Sequence, residues 1–184
     1  MPLEEYKENL RAIATHPTVQ AQENIRIVLI TPTPVDERML LQADAEKYQL
    51  GPMLRRTATT TARYAQAVRS LGSELSISVL DVWTLMMALA GYVDQASESE
   101  ALLGSKDAPQ NDVLQSFLRD GLHLTRTGYE VLYKALMALI EKAYPDQMPE
   151  NLAFAFPAWD DEVAWTHLLA SAPLGEETHG ASKF

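Results

Sequence analysis

A chain of 184 residues that is 47% apolar and 22% charged has the makeup of one globular domain with a single core, which excludes a disordered chain. Its net charge of −10 repels a polyanion, so nucleic acid is not expected as a partner, and no stretch approaches the roughly 20 apolar residues that a membrane span needs. The absence of cysteine excludes a disulfide framework, thiol catalysis and thiolate metal sites; with the acidic start Met1-Pro2-Leu3-Glu4-Glu5 it leads to the expectation of a cytoplasmic protein.

Leu3, Tyr6, Leu10 and Ile13 recur at helical spacing with charges between them, which predicts an amphipathic helix over 3–15, halted at His16-Pro17. Ile25 to Ile30 is a short β-branched apolar run closed by Thr31-Pro32-Thr33-Pro34, and predicts a strand covered on both faces in a parallel sheet. In open α/β sheets the ligand crevice lies at the C-terminal ends of the strands, so the stiff 31–37 loop is a candidate wall of a site. Arg55-Arg56, followed by Arg63 and Arg69, is the best basic cluster and reads as the solvated face of a helix. That helix carries Thr57, Thr61, Tyr64, Val68 and Leu71 on one face and is expected to stop at Gly72.

A second strand is predicted from Ile77 to Val82, and Leu85 to Leu89 reads as a short buried helix. Residues 94–112, rich in Ser, Glu, Asp and Gly, read as a surface loop. Thr127-Gly128-Tyr129-Glu130 has the form of a capping box and predicts a helix start, followed by an apolar face of Leu132, Leu136, Leu139, Ile140 and Ala143 that ends at Tyr144-Pro145. The order helix, strand, helix, strand, helix predicts an α/β fold with parallel strands over 1–145, with 146–184 as a C-terminal extension packed on it and frayed at its end. His16, His167 and His179 do not converge with carboxylates at any local spacing, so no metal is expected; Met86-Met87 and Trp83, Trp159 and Trp165 read as packing, and no glycine-rich phosphate loop suggests a cofactor.

Asp120-Gly121-Leu122-His123 puts a carboxylate and an imidazole in one short loop ahead of a helix. A general base needs such a partner, because a carboxylate at one ring nitrogen fixes the tautomer and stabilises the imidazolium formed when the other nitrogen takes a proton. The glycine lets the loop turn tightly enough for the contact. The pattern alone is weak, and an ordinary loop aspartate near a surface histidine is the better reading of it.

The wider stretch Leu118-Arg119-Asp120-Gly121-Leu122-His123-Leu124-Thr125-Arg126-Thr127-Gly128-Tyr129 resembles the last sequence block of the SGNH/GDSL hydrolases, most closely the branch of isoamyl acetate-hydrolysing esterases. Pro2-Leu3-Glu4-Glu5-Tyr6, Ile30 to Glu37, Val79-Leu80-Asp81-Val82-Trp83 and Phe156-Pro157-Ala158-Trp159-Asp160 are similar in the same order. The resemblance implies a three-layer α/β/α parallel sheet and a serine carboxylic-ester hydrolase, lipase-like in type, acting on a small ester or acyl substrate without a cofactor. Asp120 would be the orienting acid and His123 the base. The family's Gly-Asp-Ser block, its loop glycine and its Gly-x-Asn-Asp block all precede the helix that here starts at Pro2. The expectation is therefore a truncated chain whose sheet lacks its N-terminal strands, and which is poorly stable, self-associates through the exposed sheet edge, or needs a partner that supplies those strands. Gly72-Ser73 and Gly104-Ser105 do not follow an apolar strand, and Asn111-Asp112 lacks the glycine pattern, so none replaces those blocks. The alternative expectation is a catalytically inactive hydrolase-like protein with a binding or regulatory role.

Overall fold

In the computed structural model, residues 1–48, 54–93, 101–152 and 156–171 are described. They form α1 (Leu3–Ala14), α2 (Pro17–Gln20), β1 (Val28–Ile30), α3 (Glu37–Tyr48), α4 (Ala58–Leu75), β2 (Ser78–Leu80), α5 (Val82–Leu89), α6 (Asp112–Phe117), α7 (Arg126–Ala143) and α8 (Glu162–Ser171). The chain divides into two units, Met1–Met148 and Pro149–Phe184.

The two short apolar runs pair in parallel, with Val28 opposite Ser78, Leu29 opposite Val79 and Ile30 opposite Leu80. Alternation along these strands sends Leu29 and Val79 to one face, where they meet Val68 and Leu71 of α4 and Tyr6 and Leu10 of α1. Val28 and Leu80 point the other way, into a core built with Met86 of α5, Leu114 and Phe117 of α6, and Val131, Leu132 and Leu136 of α7. Helices thus cover both faces of a parallel pair, which makes the class α/β in three layers.

Several elements differ from the sequence reading, each for a local reason. Both strands are three residues long. Pairing cannot start before Ser78, because the Ile77 N–H is already taken by the Gly72 carbonyl at 2.9 Å. Ile25 and Ile30 are 38% and 46% exposed, so the two ends of the apolar run lie open although helices pack on both faces of the strand between them. Gly72 does not stop α4. It lies inside the helix, where a Cβ would stand 2.1 Å from Val79 Cγ2, and the chain turns out at Ser76 in the left-handed region (φ 54°). The glycine marks a close approach of helix to strand. Arg55 and Arg56 precede α4, whose N-cap is Thr57. The start of α7 is capped by Thr125, whose hydroxyl accepts from the Gly128 N–H, and Glu130 reaches forward to Lys134 at 2.8 Å instead of back to Thr127. The polar composition of the segments holding α3 and α6 hid two helices, and α8 was concealed by the aromatic tail. Of the 94–112 loop and the tail, residues 94–100, 153–155 and 172–184 lie outside the described residues.

In the second unit, Asp161 caps α8 by accepting from the Ala164 N–H at 2.9 Å, and the Trp165 indole N–H donates to the Ala158 carbonyl. Phe156 stacks on Trp165 with ring centroids 6.0 Å apart.

Candidate active site

The loop between α6 and α7 carries Asp120 and His123, and it is closed on itself before it touches anything else. Leu118 and Leu124 form an antiparallel bridge, the Arg119 N–H donates to the His123 carbonyl at 2.7 Å, and the Thr125 N–H donates to the Phe117 carbonyl at 2.9 Å. Leu118 is fully buried in the core shared with α7, which pins the base of the loop.

Within this loop the Asp120 carboxylate works as a hub. Oδ1 accepts from the backbone N–H groups of Leu122 (3.1 Å) and His123 (2.8 Å), an Asx-type turn, while Oδ2 meets His123 Nδ1 at 2.7 Å. Partial burial alone would push the Asp120 carboxyl up. The donors from His123 and Leu122 outweigh it and hold the carboxyl at about 2. The charged carboxylate facing Nδ1 favours the tautomer with its proton there. The His123 side chain is 72% exposed, and among the described residues its Nε2 makes no hydrogen bond, so that nitrogen is open to take a proton from an approaching group.

Gly121 makes the turn possible twice over. Its φ is +85°, a region L-residues avoid, and a Cβ there would lie 2.4 Å from the Asp36 carbonyl oxygen and 2.7 Å from the Leu40 nitrogen. The Asp120 to His123 loop therefore sits directly on the first turn of α3. The Asp36 N–H donates to the Gly121 carbonyl at 3.0 Å.

Asp36 and Glu37, both buried, organise this contact, and the sequence reading gave them no role beyond membership of a candidate wall. Asp36 Oδ1 caps α3 by accepting from the Arg38 and Met39 N–H groups, and its Oδ2 accepts from the Gln115 amide at 3.0 Å. Glu37 accepts from the backbone of Ala58 at 2.9 Å and of Lys106 at 3.0 Å, joining the start of α4 to the 101–111 loop. The available signal was an aspartate followed by a helix-forming run, which is an N-cap pattern. At its other end the 31–37 loop is fixed by Thr31, whose hydroxyl donates to Asp81 Oδ1 and accepts from the Trp83 N–H. The 31–37 loop and the Asp120 to His123 loop thus meet beyond the C-terminal end of β1.

The remaining candidates sit apart. Ser73 is an exposed residue inside α4, and the Ser105 hydroxyl accepts from the Asp107 N–H. His16 caps α2 through Nδ1, and His167 lies on α8 in the second unit. His179 is outside the described residues.

No family model matches the sequence. The chain is 32% identical over 167 residues to the isoamyl acetate-hydrolysing esterase 1 homologue of Homo sapiens, covering 88% of this chain and 53% of that protein. It is 31% identical to a GDSL esterase/lipase of Arabidopsis thaliana (85% of this chain, 56% of the relative) and 26% identical to the isoamyl acetate-hydrolysing esterase of Saccharomyces cerevisiae (88% and 57%). The chain spans about half the length of the curated relatives it matches. Among solved structures, the esterase domain of an open-reading-frame protein from a zebrafish retrotransposon aligns at 16% identity with a TM-score of 0.46, over 77% of this chain and 61% of that one.

Proposed function

We propose that this chain, which belongs to the SGNH/GDSL esterase family, supplies the acid and base arm of a Ser-His-Asp carboxylic-ester hydrolase acting on a small ester. The observation that carries the reading is the 2.7 Å contact of Asp120 Oδ2 with His123 Nδ1 on a loop fixed from three sides, with Nε2 open. In such an arm His123 takes the hydroxyl proton of a serine as the oxygen attacks the ester carbonyl. It then returns that proton to the leaving alcohol, while Asp120 holds the imidazolium formed in between. In the family's type of site such an arm acts with the serine of a Gly-Asp-Ser segment and with separate oxyanion donors.

The kinetic test is hydrolysis of p-nitrophenyl acetate. The 184-residue chain by itself is expected to stay near background. In a polypeptide that also carries the Gly-Asp-Ser block, His123→Ala is expected to lower kcat by roughly 10²–10⁴-fold. An unchanged kcat there would overturn the assignment, and turnover by the chain alone that His123→Ala abolishes would move the nucleophile to Ser73 or Ser105.

Two further features are part of the proposal. The edge of β1, with Ile25 and Ile30 exposed beside it, is a surface for self-association. The absence of cysteine suits the cytoplasm, and among the described residues no helix is long and apolar enough to cross a membrane.

A further inference from the structure

A cavity of about 410 Å³ lies between α4 and α5, lined by Ala62, Trp83, Met87, Tyr92 and Leu102 together with the polar side chains of Gln66, Arg69 and Thr84. None of its lining residues belongs to the 31–37 loop or to the Asp120 to His123 loop. We propose that this cavity binds a small neutral molecule with an apolar body and a carbonyl oxygen, which the indole N–H of Trp83 holds. It is a site apart from that of His123 and does not rest on the reading of His123 as the base.

The inner wall is apolar, since Trp83 and Met87 are buried in one cluster with Ala65, and Ala62, Tyr92 and Leu102 pack against it. The charge on the wall is already paired. The Arg69 guanidinium donates to both carboxylate oxygens of Asp81, to the Gln66 side-chain oxygen and to the Thr84 hydroxyl, and Tyr92 is likewise engaged within the protein. An anion would therefore find no unpaired cation, and what the exposed rim still offers is the Gln66 amide N–H groups and the Thr84 hydroxyl. The indole of Trp83 is different. Trp83 is only 8% exposed, and its indole N–H, a group that can donate but not accept, makes no hydrogen bond among the described residues. No described side-chain nitrogen or oxygen is both sealed from solvent and without a partner, so this N–H opens onto accessible space, and the space that Trp83 lines is this cavity. The donor is fixed in place: the Arg69 Cζ lies over the indole at 5.7 Å, and the Tyr92 ring packs against it at 80° with centroids 6.1 Å apart. An apolar cleft with one fixed donor selects hydrocarbon that carries one acceptor, and the volume lies within the roughly 300–1,000 Å³ of small-molecule sites.

The test titrates the ¹⁵N-labelled full chain with cyclohexanone, and separately with cyclohexane, which lacks the acceptor, following the tryptophan indole N–H signals by NMR. Cyclohexanone is expected to move the Trp83 signal downfield in a saturable way while those of Trp159 and Trp165 stay in place, and cyclohexane to produce no such shift. Trp83→Phe, which keeps an aromatic ring and removes the donor, is expected to weaken cyclohexanone binding roughly three- to tenfold, read at the backbone amides of Met87 and Leu102. Ala88→Phe, a substitution at an exposed wall position, is expected to abolish the response of the Trp83 indole while leaving the melting temperature in place. A Trp83 signal that does not move, the same downfield shift with cyclohexane, unchanged affinity in Trp83→Phe, or an undiminished response in Ala88→Phe would each overturn the proposal.

Discussion

The charge of Asp120 is set by donors from a single turn: the backbone N–H groups of Leu122 and His123 and the His123 ring. Its carboxyl lies at about 2 against an ordinary 3.8, so it binds protons less readily folded than unfolded. The stability it contributes is present above pH 3.8 and is lost as pH falls through about 2. Asp120→Asn is therefore expected to flatten the acid limb of a denaturation profile between about pH 4 and pH 2, and an unchanged limb would deny the carboxylate its donors. At the next residue, Gly121→Ala brings both a strained φ and a clash with backbone atoms of Asp36 and Leu40, neither of which can rotate away. A loss of about 1–3 kcal/mol in urea denaturation is expected, and a loss near zero would mean that the loop does not rest on α3. The contact of Asp120 with His123 was legible in the sequence because it is local. The docking of Gly121 on Asp36 was not, since it joins residues far apart in the chain through backbone groups that carry no sequence signature.

Elements lock onto one another through glycine and caps. Replacing a glycine inside a helix with alanine normally stabilises it by about 1 kcal/mol, yet at Gly72 the added methyl would enter Val79 of β2. Overpacking decides the sign, and Gly72→Ala is expected to lower stability by about 1–3 kcal/mol; a gain would show that helix and strand are not in contact there. Asp36→Ala removes the α3 cap and leaves the Gln115 amide without its acceptor. The expected cost is about 1–2 kcal/mol, with amide exchange in residues 118–124 rising alongside. Protection in that loop equal to the parent's would separate Asp36 from the site. Periodicity revealed α1, α4 and α7 because each buries an apolar stripe, as α7 does with Val131, Leu132 and Leu136, whereas α5 was read from its apolar run and begins at Val82, which the sequence reading gave to the second strand. It missed α3, whose sequence reads as polar while its first turn is held by Asp36 and Glu37. It misplaced the start of α7 because Thr125 and Thr127 both suit a cap, and the choice between them is made by the Thr125 hydroxyl also donating to the Ser116 carbonyl.

The described sheet has two strands of three residues, each with one edge unpaired among the described residues. A two-stranded pair draws little stability from its own hydrogen bonds and depends on the helices that cover it. With Ile25 and Ile30 exposed beside β1, the chain is expected to elute from size-exclusion chromatography in a concentration-dependent position, and Ile30→Lys is expected to shift it toward monomer. A sharply melting monomer at every concentration would show that the edge is closed in solution. The α/β class with parallel strands was legible from the order of apolar runs, and its three layers were implied by the family resemblance. The extent of the sheet was not, because an apolar run such as Ile25 to Ile30 does not reveal that pairing on its neighbour begins only at Ser78.

The central claim is that Asp120 holds the Nδ1 proton of His123 and leaves Nε2 as the base. Long-range ¹H–¹⁵N spectra of the His123 ring, taken at alkaline pH where histidines are neutral, read the tautomer directly. The parent chain is expected to show protonated Nδ1 and bare Nε2, and Asp120→Asn to lose that preference. A parent chain with its proton on Nε2 would contradict the account, because that nitrogen could then accept nothing from a serine.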